Sequence, residues 1–344
     1  MPIPAVEQNG RPFKWRLVLI YTCLLAVIGT GAWLSLGLAP VRFGAAKTVT
    51  FEIPRGAGIA NIGHMLAGCG LLRDPFVFRL WAKISGNDRK VKAGTYMLAP
   101  GMSVPKIISV LTTGRELTIR VTIPEGSSLK ETAVILEQHG IVTKDTFLQR
   151  AADPALIGQT APDAGGASLE GFLFPDTYFL SNAAGADGAI KTMTARLAEV
   201  FTPAMRRRAQ IMKRSVREII IMASIVEREA KRAADRPKIA AVFYNRLRTG
   251  IALQSCATVQ YALGKHQDRL LYADLQVASP YNTYLYRGLP PGPISSPGQA
   301  SIRAALYPDP DNYLYFVAKP DGSHVFSRTY QEHLRAQRLI SRGR

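Results

Sequence analysis

An uncharged apolar run from Leu17 to Leu38 most limits how this chain can fold. The run is long enough to cross the ~30 Å hydrocarbon core of a bilayer as one helix. Trp15 and Trp33 lie near its two ends, where aromatic side chains favour the membrane interface. Basic residues precede the run and favour a cytoplasmic N-terminus, although further basic residues follow it and weaken this bias. We therefore expect a single-pass anchor, with residues 1–16 as a cytoplasmic tail and the bulk of the chain on the outer side.

A cleaved signal peptide is the alternative interpretation of this run. The run is long for the apolar part of a signal peptide, and it lacks a convincing Ala-x-Ala cleavage site. Gly37-Leu38-Ala39 nevertheless keeps this alternative open.

The composition bounds the class of protein and its neighbours. The 344 residues are 47% hydrophobic, which argues against disorder, and carry a net charge of +18. Such a charge favours an anionic neighbour, such as nucleic acid, phospholipid headgroups or an acidic polymer. Because the bulk of the chain is expected outside the membrane, nucleic acid is not expected as a partner.

Metal, dinucleotide and disulfide chemistry find little support in the sequence. There is no CxxC, no Cys/His pair at zinc spacing and no HExxH, so no metal site is predicted. The glycines at 56, 58 and 63 do not form GxGxxG, which disfavours a dinucleotide site. Nothing in the sequence brings Cys69 and Cys256 together, so a disulfide between them stays open.

A small unit is predicted over residues 49–115, after a linker at 39–48. Apolar alternation predicts two strands, and helical periodicity predicts three helices. In chain order these are a strand at 49–54, helices at 59–66 and 76–84, a strand at 93–98 and a helix at 104–111. Strand, two helices, strand is the order of a LysM-like sugar-binding module, and a plain spacer is the alternative.

Residues 116–336 predict a larger mixed α/β domain, followed by a tail at 337–344, so the fold class is α+β. The expected elements are a strand at 116–123, helices at 129–139 and 146–151, a loop at 153–168, and helices at 189–200, 203–213, 215–230 and 239–247.

The helix from Ser215 to Ala230 carries the candidate acid. Ser215 and Glu218 have capping-box spacing, and the apolar segment that follows predicts a helix buried on most sides. Glu227 lies in this segment with Ser224 on the same face, so it should be paired, at a cleft or raised in pKa. Alternatively, Glu227 marks where the helix emerges into solvent. Glu229 is the rival acid, but it faces another side and is expected to be structural or solvated.

Further polar and aromatic residues are typical of the wall of a sugar-binding site. The segment from Glu170 to Tyr178 combines aromatic faces with acids and hydroxyls, as a sugar-binding wall or a core strand and turn would. A Pro-bounded turn joins rings to polar groups, which suits a saccharide subsite, and a packed turn is the alternative. Its candidates are Tyr281, Asn282, Thr283 and Tyr284, with Gln254 and Asn245 as weaker ones.

Ordered blocks across nearly the whole chain resemble the YceG-like family. They are Glu170–Tyr178, Ala223–Glu229, Val242–Leu247, Leu253–Ser255 with Thr258–Tyr261, Ser279–Tyr284, Gly288–Ile294, Tyr313–Val317 and Gly322–Phe326. One departure is Cys256-Ala257, where the family pattern has Asp-Pro. The missing carboxylate removes a hydrogen-bonding group from that wall and leaves Glu227 in place.

The resemblance implies a lytic transglycosylase that cleaves the MurNAc–GlcNAc bond inside peptidoglycan strands. It implies that Glu227 is the catalytic acid/base, while the C6 hydroxyl of MurNAc attacks and gives a 1,6-anhydro end. The substrate contacts would come from the saccharide candidates above with Ser224 and Glu170, and no metal or organic cofactor is expected. The chain would lie in the cell inner membrane with its bulk in the periplasm, and cell-wall synthases are candidate partners. A non-catalytic glycan-binding scaffold for those synthases is the alternative.

Overall fold

The computed structural model describes residues 12–42, 48–113, 118–165, 168–264, 267 and 270–342. Within it the chain divides into two compact units, residues 1–117 and 118–344. Residues 1–11 and 343–344 of the predicted tails, residues 43–47 of the predicted linker and residues 116–117 of the predicted strand lie outside the described residues.

The first helix, α1, runs from Pro12 to Leu38. Its segment Val18–Leu38 is apolar and long enough to cross a membrane, and its most apolar 18 residues are not buried inside the protein. Long apolar helices of soluble proteins are buried instead, so α1 suits either a membrane anchor or a signal sequence.

The first unit has the predicted order of elements after α1. They are β1 (Val49–Ile53), α2 (Ile59–Gly68), α3 (Pro75–Ile84), β2 (Gly94–Leu98) and α4 (Val104–Thr113). β1 and β2 pair antiparallel, with Phe51 opposite the buried Tyr96. Asp74 caps α3 by accepting from the Phe76 N–H at 2.7 Å, and Pro75 supplies the fixed φ of a first helical residue. The order is that of a strand–helix–helix–strand module, and its LysM-like character stays a prediction.

The end of α1 is attached to this unit at several points. The Arg73 guanidinium donates to the carbonyls of Pro40 and Val41 at 2.9 and 3.0 Å. A Cβ on Gly37 would lie only 2.6 Å from a methyl of Val77, so only glycine lets the helix approach α3 this closely. The beginning of the predicted linker is therefore bonded to the unit.

The second unit is mostly helical, with two short antiparallel ladders. Its elements are β3 (Ile119–Thr122), α5 (Leu129–Gln138), α6 (Lys144–Ala151), α7 (Pro154–Thr160), β4 (Thr177–Leu180), α8 (Gly185–Val200), α9 (Pro203–Ile211), α10 (Val216–Glu229), α11 (Arg236–Thr249), α12 (Cys256–Leu263), α13 (Gln299–Leu306), β5 (Tyr315–Ala318), β6 (His324–Ser327) and α14 (Tyr330–Arg342). β3 pairs with β4, and β5 with β6.

Helix α10 is the centre of the second core. Ser215 accepts from the Glu218 N–H at 3.1 Å and Glu218 accepts from the Ser215 N–H at 2.8 Å, so the predicted capping box is present. Every residue from Ile219 to Val226 is buried, mainly against α11 and α13. Apolar residues on all sides of a helix require neighbours on all sides, and the fold provides them.

One predicted loop is a helix. Residues 153–168 were expected to be a loop from their Gly, Pro, Ala and Asp content, but α7 occupies Pro154–Thr160. The Asp153 carboxylate accepts from the Ala155 N–H at 2.9 Å, and Pro154 is the first helical residue. Asp-Pro here starts a helix because it supplies both a cap and a pre-set φ.

Candidate active site

Glu227 lies in the last turn of α10 with only 6% of its side chain exposed. The Arg236 guanidinium, at the start of α11, lies 3.1 Å from Glu227 Oε1. The Gly298 N–H, just before α13, donates to Oε2 at 2.9 Å. The two carboxylate oxygens are thus held from two sides by a cation and a backbone donor, which is the paired arrangement among the expected ones. A carboxylate with two such partners has a fixed position, and the helix does not simply emerge into solvent here.

The Pro/Gly-rich loop before α13 is tied to α10 one turn before Glu227. The Ser224 hydroxyl accepts from the Ile294 N–H at 3.1 Å, and Ser295 Oγ donates to the Ser224 carbonyl at 3.3 Å. Ser224 is fully buried, so it positions this loop from beneath instead of facing the cleft. The loop in turn carries the Gly298 N–H to Glu227.

A close backbone approach fixes the same loop from its other side. Gly171 has φ +79°, and a Cβ there would lie 2.4 Å from Pro293. Only glycine satisfies both the left-handed backbone and this contact. The Arg217 guanidinium adds a 2.7 Å hydrogen bond to the Pro291 carbonyl.

The segment after β3 forms the opposite edge of the site. The Gly126 N–H donates to the Ser296 carbonyl and the Ser296 N–H to the Ser127 carbonyl, each at 2.8 Å. Gly126, at φ +79°, lies against the Glu227 side chain and accepts a 3.2 Å hydrogen bond from Arg228. Three segments distant in sequence therefore converge on one carboxylate.

A pocket of about 250 Å³ lies beside Arg228. It is lined by charged, polar and aromatic groups: Ser128, Lys130, Glu131, Glu170, Arg228, Ala257, Gln260, Tyr261, Gly264 and Ile294. An aromatic ring beside convergent polar groups is typical of a small-ligand site, and this volume suits a unit of the size of one sugar ring.

Glu170 is the buried acid of this pocket. Its carboxylate accepts from the Leu129 N–H at 2.9 Å and from the Tyr261 hydroxyl at 3.2 Å. Burial raises the pKa of Glu170 to about 7, although both hydrogen bonds oppose the shift. Burial also raises the pKa of Tyr261. The pocket can therefore hold Glu170 in either protonation state near neutral pH.

Glu229 has a different environment from Glu227. It is buried and accepts from Ser255 Oγ at 2.5 Å and from the Ala257 N–H in the first turn of α12. Burial raises the pKa of the Glu229 carboxyl. These contacts cap α12, which favours the structural role over the role of rival acid.

Several predicted substrate contacts are engaged within the fold. The Asn282 amide donates to the carbonyls of Leu275 and Val277, both at 2.9 Å, and its oxygen accepts from the Tyr284 N–H. The buried Thr283 hydroxyl bonds that of Thr258 at 2.8 Å. This geometry favours the packed-turn alternative for both residues.

Asn245 is engaged in the same way. Its amide donates to the carbonyls of Asp311 and Tyr313 at 2.9 and 3.0 Å. It thereby holds the segment that leads into β5, and both amide hydrogens are used.

The aromatic candidates and Gln254 keep more exposure. The Tyr281 ring lies 4.8 Å from that of Tyr261, next to the Glu170 pocket. The Tyr284 hydroxyl lies 3.2 Å from the thiol of Cys256, the residue that replaces the family's Asp. Gln254 is exposed at φ +50°, a backbone conformation that non-glycine residues rarely adopt. The geometry therefore brings Tyr281, but not Asn282 or Thr283, toward the pocket with Glu170.

Arg236, the Gly298 N–H and Glu125 were not predicted as parts of the site. The sequence gives one indication of a partner such as Arg236, because a buried carboxylate at Glu227 requires a cation or hydrogen-bond donors nearby. A backbone N–H has no sequence signature. Cys23, Cys69 and Cys256 are all free thiols, so the disulfide left open is not formed. Among the described residues, no group of His, Cys, Asp and Glu could hold a metal ion.

A buried carboxyl held by two donors, next in sequence to a residue that lines a sugar-sized pocket, suits an acid/base enzyme acting on glycans. The sequence matches the YceG-like family over residues 51–339. The chain belongs to that family. It is 37% identical over 317 residues to the endolytic murein transglycosylase of Bacillus subtilis (strain 168), covering 87% of each chain. An endolytic murein transglycosylase of Streptococcus pneumoniae (serotype 2, strain D39) is 30% identical, and the match covers 92% of this chain and 63% of that protein.

A solved structure supports the same assignment. The crystal structure of a YceG-like protein from Listeria monocytogenes matches 84% of this chain and 99% of its own, with 34% identity and a TM-score of 0.59. The similarity thus extends beyond the site motifs to the arrangement of the elements.

Proposed function

We propose that this protein is a lytic transglycosylase that cleaves the MurNAc–GlcNAc bond within peptidoglycan strands and leaves 1,6-anhydroMurNAc ends. The observation that carries this proposal is the Glu227 carboxyl, which is buried and held by Arg236 and the Gly298 N–H. The next residue, Arg228, lines a pocket large enough for one sugar ring. Relatives that match most of the chain and are named endolytic murein transglycosylases support it.

One carboxyl is sufficient for this chemistry. Hydrolysing glycosidases need a second carboxyl as nucleophile or to activate water. Here the protonated Glu227 donates to the glycosidic oxygen as its bond to C1 breaks. The resulting carboxylate accepts the proton of the C6 hydroxyl as that oxygen bonds to C1, which returns Glu227 to its starting state. The two fixed contacts at Glu227 keep its oxygens in place through both halves of the reaction.

The pocket with Glu170 and Tyr261 is the proposed subsite for a sugar next to the cleaved bond. Tyr261 and Tyr281 supply ring faces, while Glu170 and Arg228 supply hydrogen-bonding groups. Sugars combine apolar ring faces with many hydroxyls, so a wall of this mixed character suits them. Gln254 and Tyr284 remain further candidates at the edge of this wall.

The proposed location is the inner membrane, with α1 as a single anchor and the rest of the chain after it in the periplasm. α1 is long and apolar enough to span the bilayer. The net charge of +18 favours anionic cell-wall polymer and phospholipid headgroups. At this location the enzyme would act on strands as synthases make them, so cell-wall synthases are proposed partners.

Mass spectrometry of muropeptides tests the proposed activity. Full-length protein should release anhydro-ended fragments from purified peptidoglycan, and Glu227→Gln should lower that release by at least ~10²-fold because it removes the transferable proton. Glu199→Gln, which removes an exposed carboxylate on α8, is the matched control and should remain active. Near-normal release by Glu227→Gln would refute the assignment of the acid. Absence of release by the unmodified protein would favour the scaffold alternative.

A further inference from the structure

A second carboxyl, that of Glu125, lies against Gly298, the residue whose N–H binds Glu227. It lies on the segment after β3 between Pro124 and Gly126, and its side chain is exposed. Among the described residues it makes no hydrogen bond or ion pair. Because most carboxylates on this domain are capped or paired, an unengaged one beside the catalytic acid requires an explanation.

The backbone at Gly298 gives the first reason to assign Glu125 a role. Gly298 has φ −73° and ψ 167°, an extended conformation open to any residue, so the backbone does not require glycine. A Cβ at this position would lie 2.0 Å from Glu125 Oε1. The Glu125 carboxyl therefore occupies the space that a side chain at position 298 would fill.

The same glycine bounds the distance between the two acids. Its N–H donates to Glu227 Oε2 at 2.9 Å, while its Cα faces Glu125. With standard covalent geometry for Gly298, these contacts place Glu125 Oε1 within about 7 Å of Glu227 Oε2. A sugar ring that places its glycosidic oxygen at Glu227 would then have its C1 and 2-acetamido group within reach of Glu125.

The charged groups near Glu125 shift its pKa in opposite directions. Glu227 on α10 and Arg236 on α11 act on Glu125, and Arg228 contacts the neighbouring Gly126 carbonyl. Partial burial of the Glu125 carboxyl and the negative charge of Glu227 raise its pKa, while Arg236 acts in the opposite direction. Glu125 is therefore easier to protonate than an ordinary surface glutamate.

We propose that Glu125 is a second catalytic residue, whose carboxylate contacts the reacting sugar and stabilises the positive charge that develops at C1 and its acetamido group. This inference rests on the proposed transglycosylase activity. Glu227 still gives one proton to the leaving oxygen and takes one from the C6 hydroxyl, so Glu125 exchanges no proton and acts in its ionised form. A fixed charge next to a developing opposite charge lowers the barrier without binding the ground state more tightly.

The pH dependence follows from this division of roles. Glu227 must be protonated to start the reaction, and Glu125 must be ionised to stabilise the charge. Protonation of Glu125 on the acid side therefore lowers kcat, which gives the acidic limb of a bell-shaped profile. Neutral glutamine at position 125 removes that limb.

Two variants of the full-length protein in detergent test the proposal, with uncrosslinked peptidoglycan strands as the probe. Glu125→Gln should lower kcat by about 10²-fold, change KM little and abolish the acidic limb. Gly298→Ala keeps both acids and an allowed backbone but displaces the Glu125 carboxyl, so it should lower kcat similarly. Because Gly298→Ala acts through the Glu125 carboxyl, the double variant Glu125→Ala with Gly298→Ala should have the same kcat as Glu125→Ala alone. Glu199→Gln again serves as the control.

The outcomes separate this inference from the proposed function. If the unmodified protein forms anhydro ends and Glu227→Gln does not, the proposed function stands. If Glu125→Gln then keeps normal kcat and an intact acidic limb, or changes KM alone, Glu125 is not catalytic. Glu125→Gln is nearly isosteric at an exposed site, so this test does not depend on how well Gly298→Ala folds.

Discussion

Replacing Glu170 by glutamine should make the second unit more stable at alkaline pH and leave it nearly unchanged at acid pH. Burial raises the pKa of Glu170 from 4.5 to about 7, so between these values the folded state binds a proton that the unfolded state has lost. Stability therefore falls as pH rises from about 4.5 to about 7, and the loss is complete above the folded pKa. At 1.36 kcal/mol for each pH unit, the loss is about 3 kcal/mol.

Glutamine stays neutral and can keep the contacts to Leu129 and Tyr261, so it does not incur this loss. For a unit of this size, about 3 kcal/mol corresponds to roughly 6–12 °C in melting temperature. Circular dichroism melts of full-length protein in detergent, recorded from pH 5 to pH 8, should show the variant gaining that margin as pH rises.

The chain has a built-in control for this measurement. All three tryptophans, Trp15, Trp33 and Trp81, lie in the first unit, so their fluorescence does not report directly on the second. Tryptophan melts of the variant and the unmodified protein should coincide at every pH. A difference in dichroism melts that stays constant from pH 5 to pH 8 would show that Glu170 titrates no differently in the folded state, and the argument from burial would be wrong.

Substitutions at three further positions test the framework of the site. Arg236→Met should lower kcat by roughly 10²-fold because Glu227 loses the contact that orients it, and Arg236→Lys should restore part of the rate; muropeptide release measures both. Gly171→Ala should cost at least ~1–3 kcal/mol in denaturant unfolding, because alanine at φ +79° also clashes with Pro293. Glu229→Ala should cost about 1–3 kcal/mol by the same measurement through loss of the α12 cap, whereas the control Glu199→Gln, at an exposed position, should unfold at nearly the normal denaturant concentration. Equal stability of these last two variants would contradict the structural role of Glu229.

Local signals in the sequence predicted much of this architecture. Capping chemistry and periodicity act within one turn or one strand, so Ser215 with Glu218 defined the start of α10 before any tertiary contact was known. The same local reasoning failed for α7, because composition was given more weight than the Asp153-Pro154 start signal. A fully apolar α10 also predicted correctly that the core would surround it.

The composition of the site could be predicted only in part. A glutamate in an apolar helix was recognisable, but its partners come from segments far along the chain, and Gly298 contributes a backbone group. Polar residues in a turn, such as Asn282 and Thr283, resemble ligand contacts in sequence although the turn itself uses their hydrogen bonds. Only tertiary structure distinguishes a side chain engaged by its own loop from one available to a substrate.

The bonded junction between α1 and the first unit has a mechanical consequence. Arg73 holds the carbonyls of Pro40 and Val41, and Gly37 lies against Val77, so side-chain contacts hold the end of the helix against that unit. If α1 spans the bilayer, these contacts keep the unit at the level of the lipid headgroups. Any ligand of this unit would then be bound close to the membrane surface.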